Sequence, residues 1–120
     1  MADMQRADDF VLQFNGYVWT TAGAKFLVVP RNCQIIKVYT IDTVATTIVD
    51  DTLTFTNEAG VDLDDTHVIP FTGSAIGRVV STHFRPNTKN SFAEGDAIEW
   101  DSSGGSTVGT GNLTIVCRPL

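Results

Sequence analysis

Histidine, cysteine and basic side chains are all scarce in this chain, and each scarcity removes a class of function. There are 2 histidines, His67 and His83, so acid–base chemistry near neutral pH has few places to start. There are 2 cysteines, Cys33 and Cys117, too few without neighbouring histidines for a structural zinc site, which takes four ligands. Lys and Arg number 8 against 14 Asp and Glu, for a formal net charge of -6. The cationic footprint that nucleic acid or anionic lipid demands is therefore missing. Apolar runs are short, Phe26–Pro30 being typical, whereas a bilayer-spanning helix needs about 20 apolar residues. The segment Met1–Phe10 carries charges and no apolar signal core, which predicts synthesis in the cytoplasm. Thiols stay reduced there, which argues against a Cys33–Cys117 bond even though their strands can be sheet neighbours. Both cysteines read as small buried hydrophobes.

What the chain does contain is β-chemistry: short segments rich in Val, Ile, Thr and aromatics, cut by Gly, Asn, Asp, Pro and Ser. Asn15-Gly16 between Phe10–Phe14 and Tyr17–Thr21 predicts a hairpin turn. Lys25–Val29 is closed by Pro30, which marks a strand end or an edge. Gln34–Asp42 places apolar groups on both faces and predicts a central strand. Thr52–Asn57 alternates, with Leu53 and Phe55 on one face and threonines on the other, and predicts a half-exposed strand. Further strands are expected at Thr66–Phe71, Arg78–Phe84, Ala97–Asp101 and Asn112–Arg118. The expectation is an all-β chain, an antiparallel β-sandwich or jelly-roll-like barrel of about eight short strands. An N-terminal arm, 1–9, precedes one β-sandwich domain, 10–120, a size that closes a single core.

Residues that can carry chemistry are present but not arranged for it. Asp62-Leu63-Asp64-Asp65-Thr66-His67 is dense in oxygen donors, yet it matches no EF-hand or zinc spacing and reads as a solvated turn. Gly73-Ser74-Ala75-Ile76-Gly77 misses the Gly-x-Ser-x-Gly elbow by one position and reads as a bend. Glu94, Asp96, Glu99 and Asp101 are explained by a turn and by strand alternation without a glycosidase pair. The Gly104–Gly111 loop lacks the Lys-Ser/Thr ending of a phosphate cradle and reads as flexible, able to order against a partner. Asn112-Leu113-Thr114 matches a glycosylation sequon that has no meaning in a cytoplasmic strand. No catalytic residue, metal or cofactor is expected. Trp100 and Phe55 are expected in the core, while Tyr17, Trp19 and Phe84 are the candidate partner-binding anchors.

The order of the pieces carries a resemblance. Gln34-Ile35-Ile36-Lys37-Val38-Tyr39, Thr52-Leu53-Thr54-Phe55, the bend Gly73–Gly77, Glu94–Trp100 and the Gly-Gly-Ser-Thr loop before Leu113–Val116 resemble the head decoration, or cement, proteins of tailed bacteriophages. The likeness spans about Gln34 to Arg118. It implies a β-sandwich, often trimeric, that binds the major capsid protein on the outside of the shell and strengthens it against the packaged DNA. It implies a virion location and no reaction, with no contact to nucleic acid or membrane. A tail-fibre or receptor-binding module recognising a host glycan through the Asp101–Gly111 loop is the alternative expectation.

Overall fold

In the computed structural model, which describes residues 6–120, the chain forms β1 (Phe10–Val18), β2 (Lys25–Val28), β3 (Cys33–Val44), β4 (Asp51–Thr56), β5 (Asp62–Ile69), β6 (Val79–His83), β7 (Ala97–Ser102) and β8 (Thr110–Pro119). A 3-10 turn at Thr88–Asn90 interrupts the long β6–β7 connection, capped by the Asn87 side chain. Two four-stranded antiparallel sheets stack face to face, ordered β1-β8-β3-β6 and β2-β7-β4-β5. Of all consecutive strands, β4 and β5 alone pair as a hairpin, and every other connection crosses from one sheet to the other. That is the winding of a jelly roll, so the expected all-β sandwich is the fold.

Alternation closes the core. Leu53 and Phe55 of β4, Ile98 and Trp100 of β7, and Leu113, Ile115 and Cys117 of β8 all point between the sheets and are buried. The threonines of β4 face outward, as the sequence pattern requires. Strand β3 is the longest and lies between β8 and β6 as the central strand expected, but its outer face is only half-buried at Gln34, Lys37 and Tyr39 and open at Ile41.

Two local expectations are corrected. Asn15-Gly16 does not turn the chain: β1 continues through it, and the pairing with β8 slips between Phe14 and Tyr17 as a bulge. Gly16 takes a left-handed φ of 69°, and its N–H is received by the Asn112 side chain at 3.0 Å, so tertiary pairing with β8 wins over the local turn preference. Strand β5 begins at Asp62, so the acidic stretch is strand and not turn. Of the expected arm, residues 1–5 lie outside the described residues, while Asp9 is docked: its buried carboxylate receives Arg118 Nε and Nη2, both at 3.0 Å.

Candidate functional site

The structure disperses the residues that sequence reasoning weighed for chemistry. His67 points inward from β5, and its two ring nitrogens lie 2.8 Å from Thr40 Oγ1 and 2.8 Å from Thr82 Oγ1. Burial holds its pKa down at about 4, so the ring is neutral at ordinary pH. His83 ends β6, in register with Lys37 of β3. The carboxylates near His67 have separate partners: Asp62 accepts from Thr56 Oγ1, Asp64 pairs with Lys89 at 2.8 Å, and Asp65 pairs with Arg85 at 3.1 Å. Among the described residues no group of three His, Cys, Asp or Glu side chains is placed to hold a metal ion. Asp96 caps its own turn through Ala93 N–H, and Asp101 receives Gly23 N–H at 2.7 Å. Glu99 faces outward in register with Thr56, beside an open groove lined by the β4 threonines.

Tyr17, Trp19 and Phe84 are corrected as docking anchors, because all three are buried to 1% exposure or less. Tyr17 lies edge-on to Phe14, Trp19 and Trp100, and Phe84 lies edge-on to Phe55. Trp19 is the platform under which β8 passes: a Cβ on Gly111 would collide with its ring and with the Ile41 carbonyl oxygen. Composition cannot separate Tyr17 and Trp19 from exposed rings, because the chain after the bulge in β1 turns inward and the sequence does not mark it.

Many of the apolar side chains that reach solvent lie toward one end of the sandwich, while Val11, Phe26, Val28, Val61 and Leu120 are exposed elsewhere. The connections 19–24, 45–50, 70–78 and 103–109 all emerge there, as the pairing of Val18 and Val44 with Thr110 and of Asp51 with Ile69 requires. Ile76 is 78% exposed and Ile48 is 63% exposed, and Val49, Phe71 and Val108 are exposed beside them. Each isolated surface hydrophobe is ordinary; five of them on the loop tips of one end make that end a candidate contact surface.

These loops are braced from within. Trp19 Nε1 donates to Thr46 Oγ1 at 2.9 Å, Thr46 N–H donates to Ser74 Oγ at 2.8 Å, and Ser74 Oγ donates to Asp42 Oδ2 at 2.7 Å. Asp42 is buried, and that burial raises its carboxyl above the usual range, partly offset by the Ser74 hydroxyl and the Arg78 charge. The glycine-rich loop expected to be flexible is pinned instead. Asp51 Oδ1 receives Gly105 N–H and Ser106 N–H at 2.9 and 3.1 Å, and its Oδ2 receives the Ser106 hydroxyl. Thr47 N–H donates to the Val108 carbonyl oxygen at 3.0 Å, closing 45–50 onto 103–109.

Ile48 sits at φ 81°, a left-handed conformation that a β-branched residue rarely takes. Such strain costs about 1–3 kcal/mol and persists where the surroundings over-determine the backbone. Here the strain holds a large apolar side chain in water, which stability alone does not explain. Sequence reasoning passed over Ile48 and Ile76. The available signal was an isoleucine inside a polar or small-residue turn, out of phase with any strand alternation.

No protein-family model and no curated protein matches the chain. Among solved structures it is similar to one described as the crystal structure of PirA, at 15% identity and a TM-score of 0.39, over 96% of this chain and 97% of that one. A likeness that loose carries no argument about fold or activity.

Proposed function

We propose that this chain is a structural virion protein, a decoration subunit that binds the outer surface of a phage capsid through its apolar loop end and stabilises the shell. The observation that carries the proposal is the braced loop end itself, where strained Ile48 and exposed Ile76 are held outward by the Trp19–Thr46–Ser74–Asp42 chain. The order of β-pieces from Gln34 to Arg118, similar to that of phage cement proteins, supplies the class of partner. A rigid apolar surface suits a large, fixed protein lattice, because little conformational freedom is lost on docking. The major capsid protein is the partner, and a homo-oligomer, most simply a trimer, engages several lattice sites so that weak single contacts multiply. The work is contact and not catalysis, and neither nucleic acid nor a membrane is touched.

The test is co-sedimentation of the purified protein with expanded, DNA-free shells of the phage that encodes it, with the thermal midpoint of the shell as a second readout. The wild type is expected to pellet with shells and raise that midpoint, and the Ile48→Gly, Ile76→Ser double variant to do neither. Failure of the wild type to bind shells overturns the reading, and binding to host cells in place of shells assigns the chain to the receptor-recognising class instead.

A further inference from the structure

Cys33 and Cys117 lie on adjacent strands of the first sheet. Cys33 is in register with Pro119 and Ile35 with Cys117, so the two thiols are diagonal neighbours on the inward face of β3 and β8. Both are free and buried, each at 0% exposure. Diagonal neighbours on one sheet face sit about 7–8 Å apart at Cα, and a disulfide wants about 4.4–6.8 Å. A shift on the order of 1 Å closes that gap. It falls near the end of β8, where β3 already carries a register irregularity between Ile35 and Lys37.

We infer that Cys33 and Cys117 form a reversible redox staple, reduced while the chain is in a reducing compartment and closed by a small-molecule disulfide outside it. The Cys117 thiol beside it draws Cys33 below the usual thiol range, while the same neighbour and burial push Cys117 up. Because both thiols are fully buried, exchange starts from a local opening at the end of β8, after which Cys33 attacks. Its sulfur bonds to one sulfur of the oxidant, the oxidant's S–S bond breaks, and one small thiolate leaves. Cys117 then loses its proton and attacks the Cys33 sulfur, expelling the second small thiolate. Two protein thiols are oxidised and one small disulfide is reduced to two thiols.

The staple would then lock the C-terminal strand to β3 after release from the cell, whatever surface the loop end binds.

The experiment incubates the folded protein with oxidised glutathione at neutral pH, then denatures it in an alkylating agent and maps the peptides by mass spectrometry. Expected are an intramolecular Cys33–Cys117 link, a thermal midpoint higher by on the order of 10 °C, and reversal of both by a dithiol reductant. Cys33→Ser and Cys117→Ser are each expected to abolish the link and the shift. Two alkylated cysteines, or glutathione mixed disulfides without the internal link, overturn the inference.

Discussion

Lowering the pH from 7 to 5 is expected to remove roughly 2 kcal/mol of stability through His67 alone. The ring bridges the two sheets, with Thr40 on β3 and Thr82 on β6 each 2.8 Å from one nitrogen. Protonation does not break those contacts, because an imidazolium donates from both nitrogens and each threonine oxygen accepts. The penalty is desolvation of the charge, and it sets the folded pKa at about 4 against 6.5 for an open histidine. The sign follows from that order. The unfolded chain takes up the proton first, so the stabilisation is complete above pH 6.5 and is lost as the pH falls toward 4. The difference in proton binding between those two values gives about 2 kcal/mol at pH 5 and about 3 kcal/mol at pH 4. Asp42 titrates in the opposite sense, since its raised carboxyl favours the folded state on acidification. Asp9 and Asp65 are held below the usual carboxylate range and lose their contribution only at lower pH. Comparison with His67→Gln removes these shared terms. Urea unfolding of both proteins at pH 7 and pH 5 is the assay. Equal losses in wild type and His67→Gln, or a wild-type loss under about 0.5 kcal/mol, refute the reasoning.

The bracing of the loop end is open to similar tests. Ser74→Ala leaves the buried Asp42 carboxylate without its hydroxyl donor and should cost about 1–3 kcal/mol in urea unfolding. Gly111→Ala puts a methyl against the Ile41 carbonyl oxygen and the Trp19 ring, and should destabilise by about 3 kcal/mol or prevent folding, read from soluble yield and far-UV circular dichroism. Ile48→Gly should leave stability unchanged or raise it by about 1 kcal/mol, because relief of the left-handed strain outweighs the entropy of glycine. A clear loss of stability in that variant would show that Ile48 packs for the fold and not for a partner.

Period-two alternation made the architecture readable, because it depends on which face of a sheet is buried and a short window carries it. β4 and β7 follow their pattern residue for residue, and Pro30 marks the end of the edge strand β2. What the pattern does not encode is which strands meet. Asn15-Gly16 has the chemistry of a hairpin turn, yet pairing from Phe10 to Val18 along β8 is worth more than one local turn. The same nonlocality hid the acidic strand β5, whose alternate carboxylates are tolerated because β5 is an edge of its sheet and Lys89 and Arg85 reach it from the β6–β7 connection.

The loop end proposed for contact was illegible for a related reason. In a jelly roll the four loops at one end come from distant stretches of chain, so exposed apolar residues that each look incidental are brought to one end of the fold. Ile48, Phe71, Ile76 and Val108 become neighbours only through Thr47, Asp50 and Ser74, whose hydrogen bonds tie one loop to the next. The conspicuous aromatics pull the other way. Tyr17, Trp19 and Phe84 look like anchors in the sequence, but a sandwich of this size spends its largest side chains on filling the space between its sheets. The large apolar residues left exposed on these loops are Phe71 and the aliphatics Ile48, Val49, Ile76 and Val108. Binding by this end should therefore depend on the geometry that Asp42, Ser74 and Thr46 impose at least as much as on the apolar area presented.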